Sequence, residues 1–531
     1  MPDLNLENEI ARRRTFAIIS HPDAGKTTLT EKLLLCGAAI REAGAIKKRK
    51  GKSFAVSDWM EIERQRGISV TSSVMSFDFN GYRINILDTP GHQDFSEDTY
   101  RTLIAADSAI MLIDAAKGVE EQTKKLFRVC RMRGIPIFTF INKIDRHCKN
   151  PIELLDELEE TLGIASCPVT WPVGAYGEYS GVYNRQLKQI ELFNRLHTSG
   201  AEKFTVESLD INDTKLEQRI GNEASSILRE ELSLLNAAGE PFDLDRIRRG
   251  ELTPVFFGSA VKDFGVKSFL EDFIAMAPAP AEKNTTEGTL MPQSQDFSGF
   301  VFKIQANMDP KHRDRLAFIR VCSGKYEKDM SIYNARLGKE VRLPLPQQFM
   351  GQDRSFVDDV YAGDIIGVFD TGSLHIGDTL CDAKNPFHFD PIPMFPAEHF
   401  SILGAGDASK RKQFIKGIEQ LVSEGAVQIF RNPDFGTERY ITGVAGSLQL
   451  DVLKYRLLLE YGVDVKIEPL KYRLARWIQP QNTKLKLPQY FDETMCVVDA
   501  YGRLVVLFEN EWTLKKVREE NAKTEFLDIA P

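Results

Sequence analysis

The segment that begins at Thr15 constrains the fold most, because it joins three kinds of element in a fixed order. An apolar run from Thr15 to Ser20 is typical of a buried strand, and a later run with leucines on one side is typical of a helix ending near Gly37. The loop between them reads Ser20-His21-Pro22-Asp23-Ala24-Gly25-Lys26-Thr27-Thr28. This order predicts a phosphate-binding loop in a parallel α/β sheet. The strict pattern has glycine where Ser20 stands, and a serine is tolerated there if its φ stays negative.

The side chains of this loop have distinct predicted roles. We expect backbone N–H groups around Gly25 to face the phosphates, Lys26 to bridge the β- and γ-phosphates, and the Thr27 hydroxyl to bind magnesium. His21 is expected to shape the loop. Asp23 is expected to hold the loop or a monovalent cation, so we assign it to binding rather than to catalysis.

A second motif predicts which base is bound. The tetrapeptide Asn142-Lys143-Ile144-Asp145 follows the apolar run 135–141. Asp145 can accept the N1 and N2 protons of guanine, Asn142 can hydrogen-bond O6 or N7, and the stem of Lys143 can lie along the ring. This pattern of donors and acceptors fits guanine and does not fit adenine.

Three further motifs supply the remaining parts of a nucleotide site. They read Arg66-Gly67-Ile68-Ser69, Asp88-Thr89-Pro90-Gly91-His92 and Gly258-Ser259-Ala260. Asp88 is predicted to hold magnesium through water, the Gly91 N–H to sense the γ-phosphate, and His92 to lie beside the attacking water. The Ser69 hydroxyl is predicted to reach magnesium when triphosphate is bound. The backbone N–H groups of the third motif are predicted to donate to guanine O6.

Together these motifs resemble the translational GTPase superfamily, in which the second switch reads Asp-x-Pro-Gly-His and the first ends in Arg-Gly-Ile-Thr. Ser69 stands in the place of that threonine and keeps the hydroxyl. The phosphate-loop spelling, together with Arg-Gly-Ile-Ser, is similar to the bacterial class II release factors, and the resemblance extends from about Arg14 to the C-terminus. It implies hydrolysis of GTP to GDP and phosphate with Mg²⁺, stimulated by the ribosome, whose RNA would hold His92 in register.

The resemblance also implies a role in translation termination. A factor of this kind binds the terminating ribosome, changes its conformation with GTP, promotes dissociation of the class I release factor after peptide release, and leaves as the GDP form. Two alternatives stay open. A ribosomal GTPase of the elongation or ribosome-protection type would need a further elongated domain, for which the segment 469–531 leaves no room. A GTP-gated switch holding a non-ribosomal protein would not be stimulated by ribosomes.

The order of apolar patterns predicts a multidomain α/β protein. Residues 1–280 are expected to form a P-loop GTPase domain with a parallel sheet, 281–395 a translation-factor-type β-barrel, and 396–531 an α+β domain with split-βαβ (ferredoxin-like) order, a C-terminal hairpin and a helix. The long separation of Asn142 from Ser259 predicts an inserted subdomain at about 167–235. Its position is similar to that of the extra subdomain of elongation factor G.

Composition narrows the class of protein further. At about 150 residues per domain, 531 residues predict three or four domains. The uncharged apolar stretches, such as 108–113, are far shorter than the ~18 residues of a membrane span. Seven cysteines without a C-x-x-C pair are typical of reduced cytosolic thiols, so we expect a cytoplasmic protein. We also expect a monomer without membrane contacts. The net charge of −8 gives no compositional evidence for RNA binding.

Overall fold

Three regions with different kinds of sheet follow one another along the chain. The computed structural model describes residues 4–37, 39, 62–63, 69–175, 178–198, 201–213, 215–307, 314–327, 330–350, 353–357, 359–432, 439–481, 485–487 and 493–530. The first region has a mostly parallel sheet, the second has antiparallel strands, and the third has an eight-stranded sheet with helices. No helix in the described part of the chain is long and apolar enough to cross a membrane.

The sheet of the first region has one antiparallel edge strand and is otherwise parallel. In spatial order its strands are Ser73–Phe79, Tyr82–Asp88, Arg13–Ser20, Ser108–Asp114, Ile137–Asn142, Leu252–Phe257 and Ala165–Pro168. The antiparallel pair is a hairpin, and its turn residues Asn80 and Gly81 have φ of 47° and 82°. Positive φ at both turn positions gives the twist that a two-residue hairpin needs, and Asn-Gly adopts it at low cost.

Helices cover both faces of this sheet. Phe16 and Ile18 belong to one hydrophobic cluster and Ala17 and Ile19 to another, as the alternation of side chains along a strand requires. The helices of the region are Leu4–Ala11, Lys26–Cys36, Ser96–Ile104, Glu121–Met132, Pro151–Leu162 and Val266–Met276. Because helices cover both faces, the carboxyl ends of the strands remain accessible, and ligands bind there in such sheets.

A separate antiparallel sheet lies within the segment for which the sequence predicts an insertion. Its strands are Thr170–Ala175, Glu178–Asn184, Gln189–Thr198 and Ala201–Asp210, followed by helices Lys215–Ile220, Asn222–Ala238 and Leu244–Arg248. Trp171 is fully buried between this sheet and the helix 222–238, and its indole N–H donates to Glu231 at 2.8 Å. The short strand 165–168 before it pairs with the parallel sheet instead.

The second region consists of short antiparallel strands around one apolar cluster. Its strands are Ser298–Ala306, Arg315–Ser323, Lys325–Tyr326, Ser331–Asn334, Lys339–Arg342, Gln347–Met350, Asp353–Phe356, Val360–Tyr361, Ile365–Phe369 and Thr379–Cys381, preceded by the hairpin Lys283–Thr285 and Gly288–Leu290. Met350 pairs with Met75, which joins these strands to the first sheet. In the described residues the ladder is open, so closure of the barrel stays a prediction.

The third region begins with the predicted strand and helix order. Strand His399–Ala405 is followed by helix Arg411–Ser423, then by strands Gln428–Arg431 and Tyr440–Val444, helix Ser447–Tyr461 and strand Val465–Pro469. The fourth strand lies beside the first, which lies beside the third and then the second, as in a split βαβ sandwich.

The same sheet continues beyond these four strands, which was not predicted from the sequence. Strands Thr494–Asp499, Leu504–Phe508, Leu474–Gln479 and Glu525–Leu527 extend it in that order, and helix Glu511–Glu520 follows the hairpin. The link is the pairing of Phe430 with Asp499. A pairing between strands so far apart in sequence has no local signal, which is why the sequence predicts the C-terminal hairpin without its place in this sheet.

Two buried ion pairs connect the first and second regions. Arg13 donates to Asp364 at 2.7 Å, and Arg320 donates to Asp107 at 2.6 Å. Both arginines are 2% exposed or less at their side chains, and both carboxylates are 1% or less. The Thr15 hydroxyl adds a hydrogen bond to the Gly363 carbonyl across the same interface.

All three regions are in contact near the segment that follows Ser69. Lys303 of the second region donates to the Ser72 carbonyl and interacts with Asp98, whose carboxylate also accepts the Ser72 N–H at 2.7 Å. Arg101 donates to the Gly425 carbonyl of the third region at 3.0 Å. We call Ser72, Asp98, Arg101, Lys303 and Gly425 the three-region junction.

Candidate nucleotide site

The phosphate loop turns sharply between the end of its strand and the start of its helix. Asp23 has φ of 67° and Gly25 has φ of 101°, both in the left-handed region. A Cβ on Gly25 would lie 2.4 Å from the side-chain nitrogen of Asn142, so only glycine fits there. Because Gly25 precedes helix Lys26–Cys36 and has no side chain to cap it, the first N–H groups of the helix are available to an anion.

The phosphate loop departs from the usual sequence pattern at Ser20, where glycine is typical. Ser20 is buried at the end of its strand and keeps a negative φ, which is the condition under which serine is tolerated there. His21 lies 3.2 Å from Glu120 through Nε2, which ties the loop to the start of the helix 121–132. Ala24 is buried, whereas Asp23 is exposed and its carbonyl accepts from Lys143.

Lys26 and Asp88 form the charged centre of the phosphate side. Lys26 Nζ lies 2.5 Å from Asp88 Oδ1, and both side chains are buried. Asp88 reaches this position because its strand pairs with the phosphate-loop strand, with Ile18 opposite Asp88. Thr27 and Thr28 occupy the first turn of the adjacent helix and are half-buried. The site thus offers the ammonium group of Lys26 and several carboxylate and hydroxyl oxygens. These groups suit a phosphate together with a hard metal ion.

The turn after Asp88 packs directly on the phosphate loop. The Thr89 hydroxyl donates to the Ile18 carbonyl at 2.8 Å. A Cβ on Gly91 would lie 3.5 Å from the backbone nitrogen of Pro22, so the two loops are almost in contact. His92 follows with its ring partly exposed, and Pro90 is buried. This arrangement leaves His92 at the rim of the phosphate side.

The base side joins two loops through Asn142. The Asn142 side chain donates to the Ala24 carbonyl at 2.9 Å and accepts the Ala260 N–H at 2.9 Å. We predict that Asn142 bonds the base, and in the structure its carbonyl and one amide hydrogen bind protein. Only the second amide hydrogen is left for a base acceptor such as N7. Asn142 is fully buried, so its bridging role follows from the fold of the chain around it.

Asp145 and Ser259 lie together at the same end of the site. The Ser259 hydroxyl donates to Asp145 Oδ1 at 2.6 Å, and the backbone of Ser259 pairs in both directions with Phe264. Ile144 is buried and its N–H donates to the Gly258 carbonyl. Asp145 is therefore oriented by the loop that was predicted to face guanine O6.

Asp114 belongs to the site but was not predicted from the sequence. Lys143 Nζ lies 2.7 Å from Asp114 Oδ2, and Asp114 Oδ1 accepts the Ala116 N–H. Burial raises the pKa of Asp114, but the hydrogen bonds from Lys143 and Ala116 outweigh it and lower the pKa below its ordinary value. Lys143 has φ of 69°, and this pair holds its side chain across the phosphate loop. The sequence signal that could have identified Asp114 is its position as an acidic residue at the end of the neighbouring parallel strand.

The first switch is only partly described. Arg66, Gly67 and Ile68 lie outside the described residues, and Ser69 is half-buried at the start of the described segment. Glu63 anchors the backbone just after Ser69, because its carboxylate accepts the N–H groups of Val70 at 2.9 Å and Thr71 at 3.2 Å. The assignment of Ser69 as a magnesium ligand therefore stays a prediction.

Family models match three successive segments of the chain. The Elongation factor Tu GTP binding domain matches residues 11–279, Elongation factor G domain 2 matches 296–383, and the C-terminal domain of class II release factor RF3 matches 389–518. The first match alone covers the parallel sheet and every motif of the nucleotide site. The chain therefore has a GTP-binding domain of the translation-factor type.

Similar proteins match over nearly the whole length. A peptide chain release factor 3 from Symbiobacterium thermophilum is 56% identical over 520 residues, covering 97% of each chain. A peptide chain release factor 3 from Gloeobacter violaceus is 51% identical over 533 residues, covering 100% of both. A crystal structure from Thermus thermophilus covers 92% of this chain and 72% of its own, with a TM-score of 0.68 and 24% identity, so it supports the fold alone.

Proposed function

Because the chain belongs to the peptide chain release factor 3 family, we propose that it is a GTP-hydrolysing translation factor that acts at termination. It binds the ribosome, and GTP binding and hydrolysis drive dissociation and recycling of class I release factors after peptide release. The observation that carries the GTPase part of this proposal is the assembly of Lys26, Asp88 and Gly91 at one end of the site with Asp145 and Ser259 at the other. One end is suited to phosphates and the other to guanine.

Phosphoryl transfer to water requires mainly positioning and neutralisation of charge. Lys26 and the N–H groups of its helix stabilise the β- and γ-phosphate oxygens, and the Gly91 N–H detects the γ-phosphate. His92 is the catalytic residue and orients the attacking water. Hydrolysis by such a domain alone is slow, and an activating partner can raise the rate by up to ~10⁵-fold. We assign that activation to the ribosome.

We also propose Mg²⁺ as cofactor. Hydroxyl and carboxylate oxygens are the ligands it prefers, and Thr27, Ser69 and Asp88 supply them, Asp88 through water. When bound, the ion neutralises phosphate charge that Lys26 alone would leave. The nucleotide contacts that we propose involve Ser20, His21, Pro22, Asp23, Ala24, Gly25, Lys26, Thr27, Thr28, Asp88, Thr89, Pro90, Gly91, Asn142, Lys143, Ile144, Asp145, Ser259 and Ala260.

Our proposed domain limits remain 1–280, with an insert at about 167–235, then 281–395 and 396–531. The changes of sheet type near 280 and 396 support them. We further propose that the protein acts as a monomer in the cytoplasm, where its ribosomal partner is, and that it meets the class I factor on the ribosome.

The decisive experiment measures two quantities on the same sample. GTP hydrolysis is followed for the protein alone and with ribosomes stalled at a stop codon with a class I release factor bound, while dissociation of that factor is recorded. Strong stimulation with GTP-dependent dissociation supports the proposal. Stimulation without dissociation indicates an elongation-type factor, and absence of stimulation indicates a non-ribosomal switch.

A matched control identifies this chain as the source of the activity. Asp145→Asn is expected to accept xanthine nucleotides, because the amide side chain matches O2 and N1 of that base. With this variant, dissociation should follow XTP and fail with GTP. Dissociation that still follows GTP would indicate a contaminating GTPase.

A further inference from the structure

The turn that carries His92 is held by the third region. Asp94 Oδ2 accepts the Leu448 N–H at 2.8 Å, at the start of helix Ser447–Tyr461. The residue before this helix is Gly446, and a Cβ there would lie 2.0 Å from Asp94 Cγ. The Asp94 carboxylate thus fills the place of a capping side chain, where helix N–H groups and the helix dipole favour a negative charge.

Apolar contact fixes the same turn from its other side. Phe95 is 4% exposed and belongs to a cluster with Val452 of that helix, against which Leu448 and Tyr455 also pack. The turn Gln93–Phe95 is therefore held at its carboxylate and at its ring by one helix of another region. Its position relative to the phosphate loop depends on where that helix lies.

The carboxylate that the helix holds also faces His92. The Asp94 N–H donates to His92 Nδ1 at 3.2 Å, and Asp94 Oδ1 lies 3.3 Å from the same nitrogen. When the ring is neutral and Nδ1 accepts, the proton is on Nε2. When the ring is charged, Nδ1–H donates to the carboxylate and Nε2 also has a hydrogen. When the neutral ring carries its proton on Nδ1 instead, that N–H donates to Asp94 Oδ1 and Nε2 is an acceptor. In each state Asp94 contacts Nδ1 and leaves Nε2 to face other groups.

We propose that Asp94 is a positioning residue for His92 and that helix Ser447–Tyr461 sets the place of its carboxylate. The inference rests on the proposed function. Docking of the third region holds Nδ1 on Asp94 and presents Nε2 to the attacking water. Hydrolysis is thereby coupled to the position of the third region.

Gly446→Ala tests this coupling from the third region, without changing any group of the nucleotide site. Gly446 has extended backbone (φ −153°, ψ 163°), which alanine adopts freely, so the new methyl group disturbs chiefly Asp94. Gly404→Ala in the same region is the matched control, because a Cβ there meets no atom within 4 Å. Ribosome-stimulated kcat, the KM for ribosomes and GDP affinity are measured for both variants.

We expect Gly446→Ala to lower kcat about tenfold, because a displaced Asp94 no longer holds the His92 ring in its reactive orientation, with KM and GDP affinity unchanged. Gly404→Ala should leave all three values at the wild-type level. An unchanged or raised kcat in Gly446→Ala would overturn the inference. A rise in KM with kcat preserved would also overturn it, because that indicates altered ribosome binding instead.

A double-mutant cycle separates positioning from a general loss of structure. Asp94→Ala removes the atoms that the Gly446 methyl group strikes, so the double variant should be no slower than Asp94→Ala alone. Additive losses would contradict the inference. Asp94→Asn should recover most of the kcat, since its carbonyl accepts the Leu448 N–H and its amide donates to Nδ1. Equal losses for Asn and Ala would also contradict it.

The wild-type measurement distinguishes this inference from the function on which it rests. A wild-type protein that ribosomes do not stimulate contradicts the proposed function, and the inference with it. A stimulated wild type with an unaffected Gly446→Ala contradicts the inference alone. Thermal unfolding of each variant shows whether it is folded, and the Gly446→Ala arm remains informative if Asp94→Ala does not fold.

Discussion

The nucleotide site and the three-region junction each contain a buried lysine, but the two lysines have different partners. Lys26 is 7% exposed and pairs with Asp88, which lies 62 positions away in the same region. Lys303 is 5% exposed and donates to Ser72, which lies 231 positions away in another region. Lys26 can exchange its carboxylate for a phosphate without moving a domain. Lys303 can leave its partners only if regions separate.

This difference predicts two classes of variant. Substitutions in the nucleotide site should change affinity or turnover and have smaller effects on stability. Substitutions in the junction should change stability and leave nucleotide affinity intact, because no residue of the junction belongs to a nucleotide motif. Burial raises the pKa of Asp98, but Lys303 and Arg101 outweigh this effect and hold the pKa below its ordinary value, so the half-buried carboxylate is stabilised by these cations.

The largest effect is expected for Lys303→Met. It removes the buried donor to the Ser72 carbonyl and leaves half-buried Asp98 with one cation fewer, and loss of such a charged hydrogen bond costs about 3 kcal/mol. Chemical denaturation should show this loss in unfolding free energy, whereas GDP affinity should be unchanged. Lys325→Met is the control, since Lys325 forms an exposed pair with Asp359 worth about 1 kcal/mol or less. Equal unfolding free energies for the two variants would show that the burial of Lys303 does not make its contacts more stabilising than those of an exposed lysine.

His92→Ala tests the nucleotide side of the comparison. Loss of an oriented catalytic side chain should reduce ribosome-stimulated hydrolysis by about 100-fold or more, while GDP affinity and unfolding free energy stay near wild type. The matched control is His388→Ala, at an exposed histidine of the second region. Full turnover by the His92 variant would remove this residue from the mechanism.

Asp145→Asn should alter which base is bound with little change in stability. The Ser259 hydroxyl can still donate to the asparagine carbonyl, so the loop keeps its geometry. Loss of the charged acceptor should weaken GDP binding by about 2 to 3 kcal/mol and favour XDP. Competition between the two nucleotides measures the change, and an unchanged preference for GDP would disprove the base-reading role.

Lys26→Ala should weaken triphosphate binding by about 2 kcal/mol, as expected for loss of charged hydrogen bonds. Equilibrium binding of a non-hydrolysable GTP analogue measures it. Lys32→Ala provides the control on the same helix, because Lys32 pairs with Asp263 instead. A loss below about 1 kcal/mol would count against contact between Lys26 and the phosphates.

Asp272→Asn should have the smallest effect. Asp98 has cations nearby, whereas Asp272 lies near other carboxylates. Burial, with Glu191 and Glu271 nearby, raises the pKa of Asp272 from 3.8 to about 6 despite the hydrogen bond from Asn184. The folded protein therefore binds this proton more tightly than the unfolded chain, and ionised Asp272 destabilises the fold above pH 6.

Asp272→Asn removes the destabilisation that the ionised carboxylate causes. It should be more stable than wild type at pH 8, by an amount on the order of 1 kcal/mol once partial exposure is allowed for. The difference should shrink as the pH falls through 6 and vanish below 3.8. Thermal unfolding across this range measures it, and a constant difference would show that charge is not the cause.

Sequence reasoning reached the parts of the site whose signals are local. The order of strand, loop and helix around Gly25 reflects backbone geometry that only a few residues can adopt, so the phosphate loop was predictable. The bridging role of Asn142 was not, because its partners Ala24 and Ala260 come from two other loops. Asp114 resembles any acidic residue at a strand end until Lys143 is placed against it.

The contacts between regions were beyond the reach of sequence reasoning. Lys303 lies in a strand whose pattern indicates only burial, and its charge has no local explanation. The contact of Asp94 with Leu448 joins positions 354 residues apart. Such contacts depend on how complete domains pack, which depends on the shapes of whole surfaces and not on any short motif.

The ion pair between Arg13 and Asp364 has a consequence for how the chain is made. Its two residues are 351 positions apart, and both are buried in the finished protein. At about 5 to 20 residues per second, synthesis leaves Arg13 with Glu9 as its carboxylate partner for roughly 20 to 70 seconds before Asp364 is made. During that interval the first strand of the nascent chain contains an arginine that lacks its buried partner from the second region. Completion of the first region is therefore tied to translation of the second.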